Sequence, residues 1–379
     1  MPSLIDLDAN ATTACLPDVI EAVARCLAEC PGNPGSRHAL GRRARQVLES
    51  SRESIAAILD ADPEELLFTS GGTEANNLAL FGLARGPAKT IVLSPGEHPS
   101  NLEACRTLMK RGWALNRLPV NPEGHFTAGS LASLQWPDVG LATTILAHNE
   151  TGVIQDVGPL IAECHAHGVP IHLDGVQAVG KIDVSFHQLE ATSFSFGAHK
   201  FHGPRGVGGL LLRQGTKFSP LMHGGHQEQS RRPGTEPVAL IAGMAKALEL
   251  WHRDRLQRDK HLTALRDRLE AMLVELAAPV IVHAAGARRL PNTLNIAFPG
   301  LDGEALLVAL DLAGVCCSLG STCASGSMEP APILLAMGCS SEIAKASVRF
   351  TLSVLNTADE IDDAARRIAA VATRLRKSR

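Results

Sequence analysis

Two short segments of this chain combine residue types that can do chemistry together. In SFSFGAHKFHGPRGVGG, Lys200 ends an apolar strand, with His199, His202 and Arg205 close by in sequence. Neighbouring cations and partial desolvation favour the neutral amine, the form that condenses with an aldehyde to a Schiff base. Taken alone, such a lysine is ordinarily one that leaves the sheet for solvent. PIHLDGVQAVG ends another buried strand at Asp174, followed by Gln177. A carboxylate there can keep the nitrogen of a heterocycle protonated, so that the ring takes up charge from a carbanion; Asp-Gly is also a common turn. Asp174 precedes Lys200 by 26 residues, and adjacent strand ends would bring both to the same edge of a sheet.

Other segments could complete such a site. FTSGGTEANNLAL runs from a strand through Gly71, Gly72 and Thr73 into a helix. The free amides and dipole of that N-terminus make an anion site, and Thr73 adds a hydroxyl for phosphate, with a plain N-cap as the alternative. SPGEHPSN puts His98 beyond a strand, and AHNETGV does the same for His148 and Asn149. A histidine there could stack on a flat ring or shuttle a proton, and Asn149 could bond a ring hydroxyl; singly, each is more often a loop or capping residue. No G-x-G-x-x-G joins a strand to a helix, so a dinucleotide fingerprint is not the explanation. CCSLGSTCASGSMEP sets Cys323 among Ser, Gly and Thr, a composition that favours an exposed loop suited to a nucleophilic thiol, whereas Cys316 and Cys317 lie on its apolar side and are expected to be buried. In KASVRFTLS, Arg349 sits in an apolar strand and needs an anionic partner. A substrate carboxylate or a structural salt bridge would serve.

The elements that must position these residues follow from hydrophobic patterning. Short apolar runs (ELLFTS, KTIVLS, LATTILAH, PIHLD) alternate with helical stretches at 73–85, 99–111 and 158–168, the pattern of an α/β fold with parallel strands and crossover helices. TSFSF and GVGGLLLR are separated by a Gly-rich turn, which predicts an antiparallel edge. A long helical region at about 237–278, with WHRDRLQRDKHLTALRDRLE expected on its exposed face, contains the domain boundary. Strands near 280–283, 292–298 and 347–352 with helices near 303–313, 341–346 and 357–377 then read as a smaller α+β domain. Residues 1–15 are expected to pack with that smaller domain, 16–258 to form the large cofactor-binding domain, and 259–379 to form the small C-terminal domain carrying the Cys323 loop.

With 379 residues, 45% hydrophobic and 20% charged, the chain can bury two sizeable cores. A formal net charge of −3 gives no long-range attraction to nucleic acid or anionic lipid. The start, MPSLIDLDAN, lacks a basic segment followed by an apolar one, so a cytoplasmic protein is expected. Nine cysteines without a paired framework suit a reducing compartment, most of them as small buried hydrophobes; no Cys-x-x-Cys occurs, and no metal site is expected. Tyrosine is absent, so proton transfer and stacking fall to other side chains.

Together, and in this order, LDANATT, GNPGSRHALG, FTSGGTEANN, EHPSN, HNETGVIQDV, HLDGVQAVGK, GAHKFHGPRGVG, GGHQEQSRRPGTEP, LPNTLNIAF, GSTCASGSMEP and VRFTLS resemble the cysteine desulfurases of the nitrogen-fixation and iron–sulfur assembly type, within the class V aminotransferase group. The resemblance covers nearly the whole chain. It implies a fold-type I pyridoxal-phosphate transferase, and a homodimeric enzyme that takes sulfur from L-cysteine and passes it to a protein acceptor. Lys200 would carry pyridoxal 5'-phosphate, Asp174 would pair with its ring nitrogen, Gln177 would contact the ring hydroxyl, and His98 would stack on the ring. Thr73, next to Gly72, and His199 would bind the phosphate together with Thr235 of the partner subunit. Asn149 and Arg349 would hold the substrate carboxylate, and Cys323 aligns with the persulfide-bearing cysteine.

Two departures stand out. The family usually has Ser or Thr three residues before the lysine, where this chain has Gly197, and the chain ends at RLRKSR soon after its last helical stretch, where several relatives continue into a segment that docks an iron–sulfur scaffold. Competing readings are a selenocysteine lyase or another class V enzyme, and a non-catalytic sulfur-carrier or interaction protein. Cys323 argues against a plain aminotransferase, and the presence of Lys200 and Asp174 against loss of catalysis.

Overall fold

The computed structural model describes residues 3–87, 89–320 and 330–377. The chain opens with β1 (Ile5–Asp6), α1 (Pro17–Glu29) and α2 (Ala39–Ile58), then runs through β2 (Leu66–Thr69), α3 (Gly72–Leu83), β3 (Thr90–Leu93), α4 (Pro99–Met109), β4 (Ala114–Arg117) and α5 (Ala128–Ala132). It continues through β5 (Val139–Ile145), α6 (Gly158–Ala166), β6 (Ile171–Asp174), α7 (Phe186–Leu189), β7 (Ser193–Gly197), β8 (Gly208–Leu212) and the 39-residue α8 (Val238–Leu276). The remainder comprises β9 (Ile281–Val282), β10 (Thr293–Ala297), α9 (Gly303–Leu312), β11 (Val315–Cys316), β12 (Ser318–Leu319), α10 (Pro332–Ala336), α11 (Ser341–Lys345), β13 (Ser347–Thr351) and α12 (Ala358–Lys377).

Seven strands form one sheet in the order β2-β8-β7-β6-β5-β3-β4. β2, β6, β7 and β8 are buried along their whole length and β5 nearly so, which explains why they read as continuous apolar runs: helices cover both faces. The β7–β8 pair is antiparallel, as the short Gly-rich turn predicts, but β8 is not an edge. It lies between β7 and β2 and pairs antiparallel with both. A strand that opposes both neighbours leaves β2 running in the same direction as the parallel set. Hence the loops after β2, β3, β5, β6 and β7 all leave from one edge, the carboxyl edge where open α/β sheets place their ligands.

The second sheet, β12-β13-β10-β9, is antiparallel, and β1 pairs in parallel with β11 beside it. The N-terminal segment extends this region through the Asp8–Thr351 bridge. From Thr13 onward it lies against the loop after β7, where Thr13 N–H donates to the His199 carbonyl at 2.9 Å.

α8 ties the two cores together. Its first half buries Ile241, Met244, Leu248 and Trp251 against the large sheet, and its second half buries Leu262, Leu265, Leu269 and Leu273 against the small one. The charged segment beginning at Trp251 is therefore not a single exposed face: its polar residues face solvent while Trp251, Leu262, Leu265 and Leu269 point inward at helical spacing. α12 closes the second core with Ile361, Ala365, Ile368 and Ala372. Among the described residues no helix is long and apolar enough to cross a membrane.

The cysteines are less uniformly buried than their apolar character suggests. Cys26, Cys105 and Cys164 are buried, while Cys15, Cys30, Cys316, Cys317 and Cys339 are half-buried. Cys316 ends the short strand β11 at the sheet margin, and Cys317, in the link to β12, packs against the second core without being fully enclosed by it.

Candidate active site

At the carboxyl edge of the large sheet a cavity of about 600 Å³ is lined by Gly72, Thr73, His98, Asn149, Asp174, Gln177, His199 and Lys200, with Asn76, Ser100 and Arg205 among the other walls. Most residues singled out in the sequence thus meet in one place. The common strand direction set out above is the reason.

Asp174 ends β6. Its Oδ1 accepts from the Val176 amide at 3.0 Å, and its Oδ2 accepts from the side-chain amides of Asn76 at 2.7 Å and Asn101 at 3.2 Å. Three donors fix the carboxylate in orientation without neutralising it. Asn76 is itself held by His172 Nε2 at 3.0 Å and by Ser195 Oγ. Sequence reasoning passed over Asn76 and Asn101, although both lie in quoted motifs. Their signal is an asparagine facing inward from the first turns of α3 and α4, where a polar side chain must find a buried partner.

Lys200 lies just beyond β7, and its Nζ donates to the carbonyls of Asn10 at 2.6 Å and Ala11 at 2.9 Å. Burial, reinforced by the Arg349 guanidinium, pushes this amine down to about 8, while Asp174, Asp8 and Glu150 pull the other way. An amine so lowered carries a far larger neutral fraction near neutral pH than an ordinary lysine, and the neutral form is the one that makes a Schiff base.

The anion end is built at the start of α3. Gly71 caps the helix at φ 148°, a conformation open to glycine. A Cβ on Gly72 would lie 2.5 Å from Val176 Cγ2, so glycine is what lets this N-terminus approach the Asp174 turn. Thr73 stands inside the first turn rather than at the cap. The free first-turn amides, His199 and Arg205 surround this part of the cavity. His199 is kept at about 4 by burial first and then by Lys200 and Arg205, so it meets an anion as a neutral donor.

His98 caps α4: Ser100 N–H donates to its Nδ1 at 3.1 Å. The proton of the neutral ring is therefore on Nε2. Burial lowers its pKa, with Asp174 opposing and Lys200 reinforcing that direction. His148, by contrast, has both nitrogens engaged, one with the Gly96 carbonyl at 3.0 Å and one accepting from Glu150 N–H at 3.1 Å. Burial holds it at about 4, and it is a structural residue rather than a stacking or proton-shuttling one.

Asn149 lines the cavity with its amide nitrogen spent on Glu150 Oε1 at 2.9 Å, while its Oδ1 is buried without a partner among the described residues. That open acceptor suits a donor on a ligand, such as a ring hydroxyl. Arg349 projects from β13 and bonds Glu150 Oε1 at 2.8 Å and Asp8 Oδ1 at 2.9 Å. Of the two partners considered from sequence, the structure holds the salt bridge, and a substrate carboxylate would have to share the fork with these acids. Thr235 is exposed in the loop before α8 and does not line its own chain's cavity. Cys323 lies outside the described residues.

The residues present fit pyridoxal 5'-phosphate: an amine of lowered basicity, an anchored carboxylate on the next strand, and a helix N-terminus for a phosphate, around a cavity of the size small ligands take. Together these define an enzyme of the fold-type I class. Residues 5–363 match the aminotransferase class-V family, and the chain belongs to it. Within that family several of its curated relatives are cysteine desulfurases. It is 40% identical over 359 residues to the cysteine desulfurase IscS of Dictyoglomus turgidum, covering 94% of this chain and 91% of that one. It is 37% identical to the cysteine desulfurase NifS of Azotobacter vinelandii over 98% of this chain and 93% of that one. A solved NifS-like protein superposes with a TM-score of 0.91 at 33% identity, covering 98% of this chain and all of that one, and another from Rickettsia africae with 0.87 at 30% identity, covering 97% and 99%.

Proposed function

We propose that this chain is a pyridoxal-phosphate-dependent cysteine desulfurase, which converts L-cysteine to L-alanine and leaves the sulfur as a persulfide on Cys323. The observation that carries the reading is the meeting of Lys200 and Asp174 at one cavity beside the α3 N-terminus. Lys200 would hold the cofactor, Asp174 its ring nitrogen, Gln177 its ring oxygen, and Gly72, Thr73 and His199 its phosphate, while Asn149 would join Arg349 at the substrate. When bound, the cofactor supplies an aldehyde that captures the substrate amine and a ring that stores the charge left when the Cα proton departs.

The chain's own groups do the rest. Lys200 Nζ, half neutral at about pH 8 and more so above it, accepts the Cα proton. His98 would face the ring with Nε2–H, its Nδ1 being taken by Ser100 N–H. Arg349 takes the substrate carboxylate on the fork that it shares with Asp8 and Glu150. Cys323 attacks the substrate sulfur as a thiolate: its sulfur bonds to that sulfur, the substrate C–S bond breaks, and the released carbon skeleton gains protons to become alanine. The balance is cysteine plus enzyme thiol giving alanine plus enzyme persulfide. The persulfide then passes to a protein acceptor of iron–sulfur assembly or thiolation.

The exposed Thr235, apart from its own chain's cavity, supports a homodimer in which it completes the neighbour's phosphate site. The composition and the absence of a membrane-spanning helix among the described residues support a cytoplasmic protein. The test is to incubate purified protein with L-cysteine or L-selenocysteine and measure alanine and the mass of the Cys323 peptide. Alanine from cysteine, with one extra sulfur on Cys323, is expected. Alanine from selenocysteine alone would make it a selenocysteine lyase, and no alanine from either would overturn the reading.

A further inference from the structure

Among the described residues Lys181 is the one buried amine at this edge that the reaction above does not use. It is 8% exposed, and among the described residues no carboxylate pairs with it. Its Nζ donates to Asn10 Oδ1 at 2.6 Å and to Gln177 Oε1. Gln177 and Lys181 are one turn apart on a helical stretch closed by hydrogen bonds from Val179 N–H to the Gly175 carbonyl and from Lys181 N–H to the Ala178 carbonyl. Within the stretch Gly180 has φ at 76°, and a Cβ there would lie 2.1 Å from Phe201 Cβ. It is therefore packed directly against the segment that carries Lys200.

The donor and acceptor chemistry leaves Gln177 a single orientation. The atom facing Lys181 is Oε1, which takes an N–H from that amine whether it is an ammonium or neutral, and the other side of the amide settles the orientation. The Asn10 carbonyl only accepts, so the atom facing it, at 2.9 Å, must be Nε2. One Nε2–H is spent on Asn10 and the other remains, on a side chain that lines the cavity. The same Asn10 carbonyl receives Lys200 Nζ, so Asn10 couples the two amines. Protonated or neutral, Lys181 donates; burial, Lys200 and Arg349 push it well below the ordinary lysine range.

We propose that Lys181 is a positioning residue that locks the Gln177 amide so that it presents a donor, never an acceptor, to an anionic ring oxygen of the cofactor. The inference rests on the cavity being the pyridoxal-phosphate site. A hydrogen bond given to that oxygen withdraws charge from the cofactor's imine nitrogen beside it, so losing the lock raises the pH at which that nitrogen titrates.

The experiment compares wild type, Lys181→Met, Lys181→Gln, Gln177→Leu and the double variant Lys181→Met/Gln177→Leu. For each, cofactor affinity is measured by titrating apo protein with pyridoxal phosphate, and the bound cofactor's absorption band is followed against pH. Lys200, Arg349, Asp174, Asp8 and Glu150 surround the site and are unchanged throughout.

Lys181→Met is expected to raise the midpoint by about half a unit or more and to weaken binding about tenfold. Lys181→Gln, with a shorter donor, should fall between wild type and Gln177→Leu, and it carries the comparison if the Met variant does not fold. The double variant should match Gln177→Leu alone. A midpoint equal to wild type in a folded Lys181 variant, or independent effects that add in the double variant, overturns the inference. A wild-type protein that binds no pyridoxal phosphate overturns the functional reading itself, and is seen before any variant is compared.

Discussion

The Asn76 side-chain amide donates to the Asp174 carboxylate at 2.7 Å across 98 residues of sequence. It thereby ties the helix that presents the anion site to the strand end that presents the acid. A carboxylate meant to hold a heterocycle needs a fixed direction, and this bond, with those from Asn101 and Val176, supplies it. Asp174→Ala is expected to lower turnover roughly 10²-fold or more. Asn76→Ala, acting through Asp174, should cost less, about tenfold. Steady-state alanine production measures both, and an Asn76→Ala enzyme weaker than Asp174→Ala would contradict the order.

Glu97 gives a signed pH effect on stability. It is buried, accepting from Ile145 N–H at 2.9 Å and Asn101 Nδ2–H at 2.9 Å, and burial followed by Asp174 pushes it up to about 7 from 4.5. Between those values the folded chain keeps a proton that the unfolded chain has lost, so stability falls as pH rises through the window. The total is on the order of 3 kcal/mol at most. Urea unfolding from about pH 5 to about pH 8 should show a shallower decline for Glu97→Gln than for wild type; equal slopes would contradict it.

Gly197 stands where the family resemblance implies a hydroxyl, and the backbone there is extended, at φ −138° and ψ 128°. A Cβ would meet Gly72 N at 3.3 Å and His199 Cδ2 at 3.6 Å, a fit that asks for only a small adjustment. Gly197→Ser is expected to fold and to tighten pyridoxal-phosphate binding about three- to tenfold by adding one hydrogen bond at the anion end. Titration of apo protein measures it, and weaker binding would contradict it.

Arg349 meets Asp8 and Glu150 with a planar fork that lysine cannot reproduce. Arg349→Lys is expected to raise KM for L-cysteine about tenfold or more, with the cofactor spectrum unchanged. An unchanged KM would leave Arg349 with its salt bridges alone.

The strand-end motifs were readable because burial on both faces leaves continuous apolar runs, and because chemistry-bearing residues follow those runs at once: Asp174 after IHL, Lys200 after SFSFGAH. The position of β8 was not readable. A turn between two strands fixes their antiparallel pairing but not which strand covers the other side, and β2 arrives there from more than a hundred residues upstream. The inward faces of Trp251 and Leu262 were hidden because the charged residues around them mask a helical stripe. Asn10 was the hardest to foresee. It is 1% exposed, and its hydrogen bonds to Lys200, Gln177, Lys181, Thr293 and Asn292 unite segments that only the fold brings together.

The most direct measurement is reduction of the purified protein with borohydride in the presence of pyridoxal phosphate, followed by peptide mapping. Reduced cofactor is expected on Lys200, among the described residues the one lysine that lines the cavity and whose amine is lowered to about 8, with none on Lys181. Cofactor trapped on another lysine, or on none, would contradict it.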